Sequence, residues 1–176
     1  MNLDFSEEQE MLREMVRGVC AEYSPVEVVR KLEDDPKGFP GDLWKQLAEL
    51  DVLGLAIPEE SGGSGMGMIE AAIVHEEFGR ALAPTPHFVS GGLSAGALLR
   101  AGSEAQKKAW LPKIASGEAV LTPAWLEPGN GDTAKGVQLR AERDGDDYVL
   151  SGAKWHVAFA SSAARLLVLV RTGDAE

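Results

Sequence analysis

The sequence is short of cysteine, histidine and positive charge. Its 176 residues include one Cys and three His. A single thiol closes no intramolecular disulfide and builds no Cys-rich zinc site. His75, His87 and His156 stand far apart in the chain, and none lies four residues from another His or a Cys, so no metal site is expected. Lys and Arg number 17 against 28 Asp and Glu, a formal charge of −11. The basic residues are scattered, so a phosphate backbone is repelled and nucleic acid is not an expected partner. No apolar run nears the ~20 residues of a membrane span; the longest, Leu166 to Val170, is strand-sized. The opening, Met1 to Glu8, is acidic where a secretory signal is basic and then apolar, so the expected setting is cytoplasmic. No Gly-x-Ser-x-Gly elbow or Cys–His arrangement for nucleophilic catalysis occurs either.

What is present reads as two halves that meet near residue 119. A hydrophobic fraction of 44% with 26% charged residues suits a packed core. In the first half, apolar residues recur at helical spacing. Ser6 and Gln9 form a capping box, and Glu7 and Glu8 sit in the positive first turn. Leu12, Met15, Val16 and Val19 then make one stripe, extended by Cys20 and Tyr23, which makes Cys20 a core thiol. Further helices are expected from Pro25, from Asp42 to Asp51, from Ile69 to Ala83, from Pro86 to Arg100, and after a second capping box at Ser103 and Gln106. That last helix ends near Pro112 or continues to Gly117. The result is a bundle of about six helices over residues 1–118.

The second half, residues 119–176, reads as an incomplete antiparallel β domain, making the chain α+β. Glu118 to Leu126 is strand-like, with Pro123 confining it to an edge or an irregular position. Val137, Leu139 and Ala141 alternate with polar residues. Asp144-Gly145 signals a hairpin, and Tyr148 to Ala153 returns as its partner. Lys154 to Ala160 is a further candidate strand, and Leu166 to Val170 a continuous apolar one.

Several features invite a functional reading and also have a plain one. The Gly62 to Gly67 stretch lacks the Lys-Ser/Thr of a phosphate loop and reads as a turn before a helix. Glu76 and Glu77 diverge by about 100° on a helix, so they read as a solvated or salt-bridged surface rather than an acid–base pair. The segment Glu127-Pro128-Gly129-Asn130-Gly131-Asp132 is a tight turn with exposed amides, or a simple β-connection.

The order of segments resembles the acyl-CoA dehydrogenase family, over its N-terminal helical domain and most of its middle β domain. Phe5-Ser6-Glu7-Glu8-Gln9 is similar to the family's opening. Leu53-Gly54-Leu55-Ala56-Ile57-Pro58-Glu59-Glu60 with Gly62-Gly63-Ser64-Gly65 resembles its G-L-x-x-x-P-E-x-x-G-G-x-G stretch. Gly102-Ser103-Glu104-Ala105-Gln106-Lys107-Lys108, then Trp110-Leu111-Pro112 and Gly117-Glu118, is similar to its G-[ST]-x-x-Q-K…L-P…G-E helix. Glu127-Pro128-Gly129 falls at T-E-P-G-x-G-S-D, and Gly152-x-Lys154 at N-G-x-K.

The resemblance implies FAD-dependent α,β-dehydrogenation of an acyl-CoA thioester, with electrons passing to an electron-transfer flavoprotein. It places Trp125, Leu126, Gly131, Asp132, His156, Val157 and Ala158 at cofactor-binding positions. There the family's flavin-contacting Thr becomes Leu126, its Trp and second Thr become His156 and Ala158, and its Ser becomes Asp132 or is deleted. Trp125, Leu126 and Gly131 retain backbone amides for the role. Pro86, Val89, Ser90 and Leu93 fall on the helix that resembles the family's acyl-lining helix. Family members are about twice as long, and a C-terminal helical domain usually supplies the catalytic Glu. No catalytic residue is therefore assigned, and Glu127 is given no acid–base role. Two functions follow: an N-terminal portion of a flavoprotein dehydrogenase, or a non-catalytic acyl-CoA-binding or structural subunit acting with a complete homologous partner. A homo- or hetero-oligomer is expected in either case.

Overall fold

A computed structural model describes residues 4–129 and 133–173. Among the described residues, six α-helices precede four short strands. They are α1 (Glu7–Tyr23), α2 (Val26–Lys31), α3 (Gly41–Glu49), α4 (Met68–Arg80), α5 (Ala95–Ala101) and α6 (Glu104–Ala115). The strands are β1 (Leu121–Ala124), β2 (Ala141–Asp144), β3 (Asp147–Leu150) and β4 (Arg165–Val168). This is the α+β architecture the sequence predicts.

Both capping boxes form. In α1 the Gln9 amide N–H donates to Ser6 Oγ at 3.2 Å, and Gln9 Oε1 accepts from the Ser6 N–H at 3.0 Å. Ser103 and Gln106 repeat the exchange at α6. Each box satisfies two amides that lack helical partners. Gln9 does more: its Nε2 donates to Glu70 Oε1 at 2.7 Å, while Glu70 Oε2 accepts from the Gly67 N–H at the start of α4. The N-termini of α1 and α4 are thus tied together.

The α1 stripe packs as its spacing predicts. Leu12, Val16 and Cys20 are buried against Leu43, Trp44 and Leu47 of α3 and Val74 and Phe78 of α4. Burial, and then the charge of Glu77, push the Cys20 thiol up to about 11, so it stays a protonated core group. Between α3 and α4 the chain folds tightly on itself. A Cβ on Gly63 would lie 2.1 Å from the Ile57 carbonyl oxygen and 2.5 Å from that of Gly54, so only glycine fits this crossing. The glycine-rich stretch is a packing device here. Helix α6 takes the longer of its two expected courses and carries Pro112 inside it.

The expected helix from Pro86 to Arg100 is not uniform. Phe88–Ser94 is π-helical and runs into α5. Ser94 Oγ donates to the Val89 carbonyl, five residues back, at 2.7 Å. The wider turn changes which residues share a face, and such turns often accompany functional sites. It also brings Ser90 against the β half: the Leu121 N–H donates to Ser90 Oγ at 3.1 Å, with both residues buried. A second cluster (Ile57, Leu98, Leu111, Ile114, Ala119 and Leu121) carries the core from helices to strands.

The strand half departs from the sequence reading in three ways. First, pairing is mixed. β2 and β3 form the expected antiparallel hairpin, with Asp144 opposite Asp147 across Gly145-Asp146. β1 and β4 pair in parallel, Leu121 opposite Arg165 and Ala124 opposite Val168. Everything from Ala124 to Arg165 forms their connection, which is long enough for the crossover a parallel pair requires. Second, Val137 and Leu139 are buried but lie outside the strand, which starts at Ala141. Third, Lys154 to Ala160 is not a strand. His156 (φ 52°) and Phe159 (φ 53°) have left-handed backbone, which turns the chain instead of extending it. That turn carries the Phe159 ring to 5.9 Å from Phe39, and Ser161 and Ser162 donate to the carbonyls of Pro36 and Lys37.

Candidate cofactor and substrate cleft

Two segments from the β half face the π-helical segment. One continues β1 through Trp125, Leu126 and Glu127; the other runs from Gly152 to Ala158. The Trp155 N–H donates to the Leu126 carbonyl at 2.9 Å. Lys154 Nζ donates to the Trp125 carbonyl at 3.1 Å and to Glu127 Oε1 at 2.7 Å. Glu127 also accepts from the amides of Gln138 (2.8 Å) and Leu139 (3.0 Å). The side chains of Lys154 and Glu127 are only 7% and 6% exposed, so this is a buried ion pair. Burial opposes ionisation of Glu127. The Lys154 hydrogen bond, the two amides and the Lys154 charge overcome it and hold the carboxyl down at about 2. A carboxylate with this pKa is a poor proton acceptor near neutrality, in line with a holding role.

The two segments and the π-helical turn enclose a cleft of ≈ 60 Å³, lined by Val89, Thr122, Pro123, Trp125, Leu126, Trp155, His156 and Ala158. Through Pro123 and Trp125 it adjoins a larger cavity of ≈ 490 Å³ between α5 and the β1/β4 pair, which Leu93, Ala97, Leu98 and Leu167 also line. The indole of Trp155 and the imidazole of His156 stand edge to face, with centroids 6.3 Å apart. Thr122 is fully buried, and its Oγ1 has no hydrogen-bond partner among the described residues. An unpaired buried hydroxyl costs roughly 1–3 kcal/mol, which a polar group arriving in the cleft would recover.

The residues expected at the cofactor and the substrate therefore converge in part. Trp125, Leu126, His156 and Ala158 share one cleft with Val89, and Leu93 lines the adjoining cavity. Val157 is half-buried and lines neither space. Pro86 is buried away from both, and the Ser90 hydroxyl is occupied by the Leu121 amide. Gly131 and Asp132 lie outside the described residues. Thr122 and Trp155 were not anticipated. Trp155 adjoins the expected trio, and its aromatic bulk was the available signal; nothing local marks Thr122.

Elsewhere the structure joins residues that the sequence keeps apart. His87 Nδ1 lies 3.3 Å from His75 Nε2, and His87 Nε2 lies 2.9 Å from the Val52 carbonyl. Glu77 is buried rather than solvated, in a bidentate pair with Arg17 (2.8 and 3.0 Å) and with Arg80 at 3.5 Å; Glu76 stays exposed. The Arg17 hydrogen bond outweighs burial and holds the Glu77 carboxyl below its usual range.

A helical bundle thus meets, through a π-helical turn, a half built on two two-stranded sheets, with a cleft at the junction. The family model described as acyl-CoA dehydrogenase, N-terminal domain, matches residues 6–118. The chain belongs to the acyl-CoA dehydrogenase family. It is similar to the probable acyl-CoA dehydrogenase YngJ of Bacillus subtilis, 36% identical over 98% of this chain and 46% of the relative. It is also similar to mitochondrial isovaleryl-CoA dehydrogenase of Bos taurus, 36% identical over 95% of this chain and 40% of the relative. Among solved structures, a chain of the ChsE4–ChsE5 complex from Mycobacterium tuberculosis superposes with a TM-score of 0.86 at 30% identity, covering 98% of this chain and 46% of that one. Glutaryl-CoA dehydrogenase of Mycobacterium smegmatis in complex with FADH2 gives 0.86 at 27% identity, over 97% and 44%. The chain thus spans less than half the length of these relatives. Among the described residues, no helix is long and apolar enough to cross a membrane.

Proposed function

We propose that the chain is the N-terminal portion of an acyl-CoA dehydrogenase-type flavoprotein, with its cleft facing an FAD ring and the acyl end of a CoA thioester. The observation that carries this reading is the meeting of Val89 with Trp125, Leu126, His156 and Ala158 in one cleft. The residues present fit a flat ring. Trp125, Trp155 and His156 would form its wall, and the orphaned Thr122 hydroxyl would supply a hydrogen bond. When bound, the flavin supplies hydride acceptance for α,β-dehydrogenation. Leu126 and Ala158 would exclude water from the ring without donating to it. Leu93, Ala97 and Leu98 would line the acyl chain in the larger cavity. Glu127 and Lys154 would hold the two ring-facing segments in register. Electrons would leave to an electron-transfer flavoprotein, in the cytoplasm.

The apolar side chains of Leu126 and Ala158 favour a second reading: a non-catalytic acyl-CoA-binding or structural subunit beside a complete homologous chain. A neighbour that is part of the ChsE4–ChsE5 complex supports a two-chain assembly. Visible absorbance of the purified protein, alone and co-purified with a homologous full-length chain, tests both. Flavin bands in the isolated protein support the first reading. Bands only in the co-purified assembly support the second. Colourless protein in both preparations sinks the flavoprotein reading.

A further inference from the structure

The flank of α5 turned away from the cleft lines a second hollow. A trough of ≈ 380 Å³ runs between α4 and the Phe88–Ala101 helix, with Leu55, Ala72 and Leu99 among its apolar walls. Gly92 and Gly96, one turn apart, lie on the helix side. A Cβ on Gly96 would meet nothing within 4 Å, so the missing side chain is part of the open space. Ala97, Leu98 and Ala101 face the other cavity, and Leu93 lines both.

Among the described residues, only three polar side chains line the trough: His75, His87 and Arg100. The Val52 carbonyl can only accept, so His87 carries its proton on Nε2 when neutral. Its Nδ1 must then accept from His75, which fixes the His75 proton on Nε2. Burial lowers both imidazoles, so the pair is uncharged at neutral pH. The Phe88 ring stands edge-on to His75 at 5.4 Å, leaving this end of the trough aromatic and neutral. Arg100 lies 12 residues beyond Phe88, roughly 15 Å along the helix. Arg100 makes no hydrogen bond or ion pair with any described residue. In a chain of net charge −11, an unpaired cation at the far end of an apolar trough matches one ligand chemistry.

We propose that this trough binds an aliphatic monocarboxylate of medium chain length. The carboxylate pairs with Arg100, the chain lies over Gly96 and Gly92, and its tail ends against Phe88 and the neutral histidine pair. The guanidinium offers a bidentate partner for a carboxylate. The site is separate from the cleft at the β half and does not rest on the flavoprotein reading.

Calorimetric titration of sodium decanoate, below its micellar range, into the whole chain tests the assignment. Three variants accompany it. G96L fills the trough; leucine is also the better helix former, so the thermal midpoint should not fall. A97L fills the other cavity. R100Q removes the cation from an exposed position where the fold does not depend on it. The expected result is saturable binding that survives A97L, weakens at least tenfold in G96L, and weakens at least tenfold in R100Q for decanoate but not for 1-decanol. Absence of saturable binding overturns the proposal. So does binding that persists in G96L or is lost in A97L, and equal decanoate binding by R100Q and the parent. If G96L melts early, the A97L and R100Q results decide.

Discussion

The Glu127–Lys154 pair holds the cleft together, and replacing Lys154 with Met should show it. Methionine keeps an unbranched apolar stem and removes the ammonium. Two hydrogen bonds go with it, one to the Trp125 carbonyl and one to Glu127 Oε1. A carboxylate whose side chain is 6% exposed then loses this ammonium and keeps the Gln138 and Leu139 amides. Breaking a buried pair from one side costs about 3–5 kcal/mol, and the surviving amides place this case near the lower bound, about 3 kcal/mol at pH 7. For a chain of this size that is a fall in melting temperature of roughly 6–12 °C. The loss should depend on pH with a definite sign. Glu127 sits at about 2 in the fold against an ordinary 4.5, so its contribution is present above 4.5 and disappears as pH falls towards 2. The gap between parent and Lys154→Met should therefore narrow from pH 7 to pH 3. Glu127→Gln/Lys154→Met should recover part of the loss, since no charge is stranded. Urea melts of the three proteins at both pH values measure all of this. If Lys154→Met lies within about 0.5 kcal/mol of the parent at pH 7, the pair is not what joins the two segments, and the reasoning is refuted.

Three further outcomes are expected. His87 titrates at about 4 in the fold against 6.5 when free, so stability should fall by about 3 kcal/mol as pH drops from 6.5 to 4, and His87→Gln should flatten that slope in urea melts. Ser90→Ala leaves the buried Leu121 amide without its acceptor and should cost about 1–3 kcal/mol; an unchanged melting midpoint would show that the link between the π-helical turn and β1 is dispensable. Leu126→Thr with Ala158→Thr places two hydroxyl-bearing side chains on the cleft wall, and should raise flavin retained per chain after gel filtration, read from visible absorbance; no gain would remove these two positions from the account of cofactor binding.

How much of this was legible in the sequence depended on how far each interaction reaches along the chain. The ends of α1 were readable because Ser6 and Gln9 cap it three residues apart and Leu12, Val16 and Cys20 follow one local period. The hairpin was readable because Gly145-Asp146 joins its own two strands. By contrast, β1 finds its partner 44 positions on, at β4, and no local pattern distinguishes a parallel from an antiparallel partner at that range. Lys154 to Ala160 has strand-like composition, yet His156 and Phe159 adopt left-handed backbone to dock Phe159 on Phe39. Tertiary packing decided there against local preference. The candidate site was legible in the same uneven way. The family motifs located Trp125, Leu126, His156 and Ala158 but did not show that the E-P-G and G-x-K pieces are joined by a buried ion pair. Ser90 lies on the helix expected to line the acyl group, and the bond from the Leu121 N–H to its hydroxyl, 31 residues away on β1, has no local signature.

These distances bear on what the cleft substitutions mean. Leu126, His156 and Ala158 stand where the family resemblance puts flavin-contacting side chains, and the bonds that tie the cleft's segments together lie elsewhere. Glu127 and Lys154 tie together the two segments that carry it, the Trp155 amide and Leu126 carbonyl join the same segments, and Ser90 fixes the π-helical turn to β1. Glu127 and Lys154 fall on the family motifs, and the Trp155–Leu126 bond uses backbone atoms alone. The cleft's geometry and its surface chemistry are therefore separable. A chain can lose polar contacts to a cofactor while keeping the scaffold that would present them, and the orphaned Thr122 hydroxyl is a polar group that this scaffold still presents. Exchanging the side chains that line the cleft therefore tests its surface chemistry without disturbing the scaffold that holds it.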